Sequence, residues 1–200
     1  MAVTARGART RAALVAAART VFERDGFLAS RLTDITAEAS CSVGTFYTHF
    51  ASKEEVFLAV MEAAQDDMLH PGMPHVEDGA DPVAVIEASN RAYFDSYRRN
   101  ARLMMLQEQV ATIDDDFRRQ RLERGETFVR RNAKGISRLQ DAGLVDAHLD
   151  PLMTARALSG MVARLAYTTF ALGLDLAVDD LVETSTRLWA NALGLDAKPG

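Results

Sequence analysis

An all-α protein of about nine helices is what this sequence predicts, and three observations carry that expectation. Apolar residues recur at spacings of three and four through most of the chain. Ala, Leu, Arg and Glu dominate while β-branched alternation is scarce, which favours helix. Helix start and stop signals also punctuate the chain at helical lengths.

The elements follow in order. The first helix is expected over about Ala8 to Arg24, where Leu14, Ala17, Ala18, Val21 and Phe22 share one face. Gly26 should stop it as a left-handed cap. Ser30 is expected to cap a second helix that turns Leu32 and Ile35 inward and ends near Ser40. Ser42 is expected to cap a third, from Val43 to about His49. Ser52-Lys53-Glu54-Glu55 has the form of a capping box and opens a fourth helix, striped by Val56, Phe57, Val60, Met61 and Ala64. The Pro- and Gly-rich stretch His70 to Ala80 reads as a connector, dividing the chain into a domain at 8–68 and another at 69–200.

Beyond the connector, Asp81-Pro82 and Asp150-Pro151 each pair a capping aspartate with proline at the first helical position. The fifth helix places Val83, Ile86, Tyr93, Phe94 and Tyr97 on one face. The sixth spans about Asn100 to Thr112. The seventh, charged outside, spans about Asp114 to Ala142 and stops at Gly143. The eighth, Asp150 to about Leu172, is apolar nearly all round from Ala157, so it should be covered from two sides. A ninth opens at Asp179 or Asp180, with Glu183 completing a second box, and ends at Gly194.

Composition narrows the class. At 200 residues and 48% hydrophobic, the chain can bury a sizeable core. The single cysteine, Cys41, excludes an intrachain disulfide and suits a reducing compartment. No apolar run approaches the roughly 18 to 20 residues of a membrane span. The first residues, MAVTARGARTR, read as a basic arm without an apolar signal core. A soluble, cytoplasmic protein is expected. The net charge of −5 is unevenly divided: residues 1–53 hold seven basic and four acidic side chains, a net +3, which leaves −8 for the remainder. That asymmetry matters because phosphate attraction fades within about a Debye length, roughly 8 to 10 Å.

The segment Ser30 to Lys53, SRLTDITAEASCSVGTFYTHFASK, carries the functional signal. Two short helices joined by a tight turn have the form of a helix-turn-helix, over about residues 31–50, whose second helix enters a DNA major groove. Its DNA-facing set is Arg31, Thr33, Ser42, Val43, Gly44, Thr45, Tyr47, Thr48, His49 and Lys53. Gly44 either admits a closely approaching phosphate or serves close helix packing. The threonine methyls suit thymine contacts. Phe46 and Phe50 read as the packed anchor of the short helix. Arg6, Arg9 and Arg11 either follow phosphates or enter a minor groove.

This segment and its flanks resemble the N-terminal domain of the TetR family of transcriptional repressors. The resemblance rests on Ala17-Ala18, Phe22, Gly26-Phe27, Ile35, Ala39, Ser42, Gly44, Phe46-Tyr47, Phe50, Lys53 and Glu54, in matching order and spacing. It covers about the first third of the chain. It implies that Tyr47 binds a phosphate and Lys53 contacts the DNA backbone. It further implies a homodimer on a double-stranded, pseudo-palindromic operator and a small-molecule effector that releases it. Two-fold symmetry would then set the reading helices about one turn apart, roughly 34 to 36 Å. The family's turn reads Ala-Gly-Val-Ser, whereas this chain has Ala39-Ser40-Cys41-Ser42. Ser40 is therefore expected to adopt a backbone angle that glycine usually supplies, and Cys41 to pack as a small apolar residue.

The larger domain should hold the effector pocket and the dimer interface. Polar residues interrupting apolar stripes orient a ligand, which singles out Asn90, Gln107 and Asn132. Tyr93, Tyr97, Met104, Met105, Phe128, Tyr167 and Thr168 are the candidate lining. Arg164 stands in the apolar run ALSGMVARLAYTTFAL and is either a ligand-anion contact or the ion-pair partner of an acid such as Glu108. Ser159, Gly160 and Ala163 would let a partner helix approach, and Leu181, Thr184, Leu188, Ala192 and Trp189 would complete a four-helix interface. No metal-ligand spacing and no cofactor motif occurs, and the chain lacks a phosphate-binding glycine loop and a nucleophile–base pair. The remaining rival is a protein-binding adaptor that retains the helix-turn-helix as scaffold.

Overall fold

A computed structural model describes residues 5–69 and 81–195, and the connector expected at His70 to Ala80 lies outside the described residues. The described elements are α1 (Ala5–Asp25), α2 (Leu32–Glu38), α3 (Val43–His49), α4 (Lys53–Leu69), α5 (Pro82–Arg99), α6 (Ala101–Ile113), α7 (Asp115–Asp141), α8 (Pro151–Ala166), a π-helical turn (Tyr167–Ala171) and α9 (Val178–Leu193). The described residues contain no strand. None of their helices is long and apolar enough to cross a membrane.

In the head, α1 packs against α2 and α4, and α2 against α3; in the body, α5 lies on α9, α7 on α8, and α6 on both α7 and the π-helical turn. The expected face of α1, from Leu14 to Phe22, is buried throughout. Helix α4 belongs to both halves. Its Phe57 meets Phe22 edge-on at 5.1 Å and Phe27 at 4.8 Å, and it stacks on Phe117 of α7 at 5.3 Å. Arg19 of α1 reaches Asn100 at 2.9 Å, tying the head to the α5–α6 corner as well.

Most caps form where local chemistry places them. Asp81, Asp114 and Asp150 each accept a backbone N–H from the first turn of the following helix, those of Val83, Phe117 and Met153. Ser42 accepts from Thr45 N at 3.1 Å. At the start of α4 the Ser52 hydroxyl accepts from Glu55 N, while the Glu55 carboxylate reaches back to Ala51 N rather than Ser52 N, so the box is displaced by one residue.

Three expectations about helix ends need correction. Ser30 does not cap α2: it is buried, and its hydroxyl donates to Phe27 O at 2.8 Å, leaving Arg31 as an N-cap without a side-chain bond. Helix α9 starts at Val178 after Ala177, which has extended backbone, so Asp179 and Asp180 are first-turn residues. Asp179 instead meets Arg91 of α5 at 2.7 Å. The eighth helix does not run α-helically to Leu172. Its final turn widens, with Leu172 N bonding Tyr167 O at 3.1 Å, five residues back. The Thr168 hydroxyl, expected in the ligand set, donates to the backbone carbonyls of Arg164 and Leu165 there.

The turn between α2 and α3 realises the strain read from the sequence. Ser40 has φ +50°, the one positive φ outside glycine among the described residues. Cys41 N bonds Thr36 O and Ser40 N bonds Ala37 O, the double closure of a Schellman motif. Helices α7 and α9 end in the same pair of bonds, with Gly143 and Gly194 at the left-handed position. Ser40→Gly is accordingly expected to stabilise the protein by about 1 kcal/mol or less, the smaller the more the unfolded chain gains freedom. A denaturant midpoint that stays put or falls would show the turn to be unstrained.

Candidate DNA-reading helix and ligand cavity

Helix α3 is short, and two buried rings fix it. Phe46 and Phe50 are fully buried, 5.7 Å apart, and the Arg11 guanidinium lies 4.7 Å over the Phe50 ring. On the opposite face Ser42, Val43, Gly44, Tyr47 and Thr48 are exposed, with Thr45 and His49 half-buried. Tyr47 stands edge-on to Phe46 at 5.6 Å and is 56% exposed. The Thr48 hydroxyl donates to Gly44 O at 3.1 Å, which holds its methyl in a fixed direction. A methyl on Gly44 would meet only Ser42 Oγ, at 3.7 Å. Close helix packing therefore does not account for this glycine. Arg31 and Thr33, at the start of α2, are also exposed.

Two basic features differ from expectation. The presumed N-terminal arm is helical from Ala5, so Arg6, Arg9 and Arg11 are exposed residues of α1. Lys53 is half-buried and its ammonium donates inward, to Phe27 O at 2.8 Å and Ser30 O at 3.1 Å, above the Phe27 ring. It fastens the α1–α2 turn to the start of α4, which leaves one ammonium proton for an outside acceptor.

In the body, α5 to α8 and the π-helical turn line a cavity of about 660 Å³ that opens to solvent past exposed Leu122, Arg156, Gly160 and Arg164, within the roughly 300–1,000 Å³ typical of small-molecule sites. Of the residues the sequence offered for a pocket, Tyr93, Tyr97, Met104, Gln107, Phe128, Arg164 and Tyr167 line this cavity. Tyr93 forms an aromatic group with Tyr97 at 6.0 Å and Phe128 at 5.7 Å. Burial pushes the phenols of Tyr93 and Tyr97 well above their ordinary value, so both keep their protons as donors.

Other candidates face elsewhere. Asn90 is buried and donates to Thr186 of α9 at 3.2 Å, a tie between α5 and α9 rather than a cavity contact. Asn132 donates to the Ser159 hydroxyl at 3.0 Å and joins α7 to α8. Met105 lies in a separate cleft with Arg102 and Phe170. Ser159, Gly160 and Ala163, assigned to a partner helix, lie on the cavity wall. Ser159, Leu181 and Trp189 are buried inside the protomer and offer no surface to a second copy, whereas Thr184, Leu188 and Ala192 are exposed. Exposed Leu152 and Met153 on α8 had not been singled out.

The cavity's charged wall was also missed. Arg121 pairs with Glu108, which removes the acid expected for Arg164; Arg156 pairs with Glu126; and Arg124 reaches Glu62 of α4 at 2.7 Å. On a helix this charged, such residues resemble a solvated face. The only available signal was their spacing with Phe128: Arg121, Arg124, Gly125 and Phe128 recur at three and four.

Residues 14–60 match the family described as "Bacterial regulatory proteins, tetR family". A helix-turn-helix transcriptional regulator of Bacillus subtilis (strain 168), YfiR, is 29% identical over 152 residues, spanning 72% of this chain and 70% of that protein. Among solved structures, a TetR-family regulator from Mesorhizobium loti MAFF303099 shares the fold with TM-score 0.80 at 20% identity, over 94% of this chain and 98% of the other. Salmonella enterica GusR superposes with TM-score 0.77 at 19% identity, over 96% and 98%. The head thus matches the TetR-family model, most of the chain resembles a helix-turn-helix transcriptional regulator in sequence, and head and body together share the fold of TetR-family regulators.

Proposed function

We propose that the protein represses transcription as a homodimer on a pseudo-palindromic operator and leaves the DNA when a small, largely apolar ligand fills its cavity. The observation that carries this reading is the two-sided build of α3. A face of Val43, Gly44, Tyr47 and Thr48 is open to solvent, above Phe46 and Phe50 in the core. An adaptor scaffold would need no such open, glycine-bearing face. The division into a head at 8–68 and a body at 69–200 suits separate reading and sensing. Exposed surface on α8 and α9, including Met153, Thr184 and Leu188, is available for a second copy.

Ligand and DNA would communicate through α4. The cavity arginine Arg124 holds Glu62 of that helix, and Phe57 stacks on Phe117. Occupancy that moves α7 would thus re-aim the head, given unequal ligand affinity in the two states; a tenfold difference corresponds to about 1.4 kcal/mol of coupling.

The test is selection of duplexes from a random pool by the purified protein, followed by salt titration. A preferred inverted repeat is expected, with affinity falling steeply as salt rises because phosphate contacts release counterions. Tyr47→Phe should weaken that binding several-fold and leave the dimer intact. No preferred duplex, or a flat salt response, would favour the adaptor.

A further inference from the structure

The charge balance of the cavity wall identifies its ligand more closely than its size does. Four arginines line it: Arg121, Arg124, Arg156 and Arg164. Three are matched, by Glu108, by Glu62 of α4 and by Glu126. Arg164 has no carboxylate partner among the described residues, and its guanidinium instead lies 5.6 Å over the ring of Tyr167. Both glutamates on the wall are already engaged. The wall therefore carries one uncompensated positive charge, beside a surface made largely of Tyr93, Tyr97, Met104, Leu122 and Phe128.

A neutral ligand that covered Arg164 would strip water from the guanidinium without replacing it. A dianion would bring a second charge for which the wall has no free cation. One carboxylate satisfies the balance, since a guanidinium binds it through two parallel N–H bonds. The aromatic face accepts the rest of such a molecule by burial.

We propose that the cavity takes an amphipathic monocarboxylate, its carboxylate held by Arg164 and its apolar body packed against Tyr93, Tyr97 and Phe128. This rests on reading the cavity as the effector site. Arg164 then determines specificity: it accepts the monoanion and disfavours the neutral amide of the same shape.

The probes are 2-naphthoate, decanoate, 2-naphthamide and 2,6-naphthalenedicarboxylate, added to the full-length protein, with dissociation constants measured by calorimetry. A monocarboxylate should bind at least tenfold more tightly than the amide or the dicarboxylate. Arg164→Met should lose that tenfold preference, the acid binding more weakly and the amide at least as tightly as before, and Arg164→Lys should retain part of it. Equal binding of acid and amide, an Arg164→Met protein that keeps the preference, or no binding of either monocarboxylate at millimolar concentration would overturn the proposal. Thermal unfolding of both variants shows whether they fold. Gly125→Trp tests the cavity itself, because the glycine lines it and a Cβ there meets nothing within 4 Å, leaving room for the ring to enter. If a neutral metabolite releases operator DNA and Gly125→Trp abolishes the release, the cavity reading stands and the monocarboxylate fails. Release that survives Gly125→Trp removes the cavity reading itself.

Discussion

Replacing Phe57 with alanine is expected to lower the stability of the protein by about 3–5 kcal/mol, the range for truncating a buried aromatic ring. The ring is fully buried and meets Phe22, Phe27 and Phe117, each within 5.3 Å. Neither partner helix can collapse into the gap without moving α4, whose Lys53 is fastened to the carbonyls of Phe27 and Ser30. The cavity term should therefore remain largely unrelieved. Denaturant unfolding followed by circular dichroism measures it, with exposed Val43→Ala as a control expected within about 0.5 kcal/mol of the parent. A loss under about 1 kcal/mol would mean that head and body are not packed through this ring.

The second large effect falls on DNA and leaves the fold alone. Gly44→Ala is expected to reduce operator affinity at least tenfold, about 1.4 kcal/mol, while stability stays level or rises by up to about 1 kcal/mol. Gly44 sits in helix with open space before it, its nearest obstacle being Ser42 Oγ at 3.7 Å. Within the protein, then, alanine costs nothing and favours the helix. If the exposed face of α3 is where DNA comes closest, the added methyl stands between the two backbones. Gly135→Ala on α7, equally open, is the control and should leave DNA affinity unchanged. Unchanged operator binding by Gly44→Ala would move the reading surface away from the start of α3.

Much of the local structure was legible because its causes lie within a few residues. Ser42 caps α3 through a bond three residues long, and Asp81-Pro82 and Asp150-Pro151 start their helices in the same way. Ser40 was readable through the resemblance, which places it where the family's turn has glycine, and its positive φ closes the end of α2 as a left-handed cap. Where a local signal had two outcomes, the fold chose. Ser30 could cap α2 or turn inward, and burial beside Phe27 drew its hydroxyl to the Phe27 carbonyl. Lys53, which the resemblance gives to the DNA backbone, instead donates to two carbonyls 26 and 23 residues earlier in the chain.

The body was harder because periodicity shows that a helix has an apolar face without naming the neighbour that covers it. Helix α8 is apolar on two sides, and nothing in its own sequence says which side meets α7. Packing turned Ser159, Gly160 and Ala163 toward the cavity, while Asn90 on α5 was turned to Thr186 on α9. The charged residues of α7 became a pocket wall once Glu108 and Glu126 lay within reach of Arg121 and Arg156.

By itself, then, the sequence determined the helices, most of their caps and the Phe46–Phe50 anchor, since these follow from backbone bonding and side chains at most a turn apart. Only the tertiary structure decided the cavity, its unmatched Arg164 and the inward grip of Lys53. Each depends on the rotation of one helix against another, and contacts distant in sequence set that rotation.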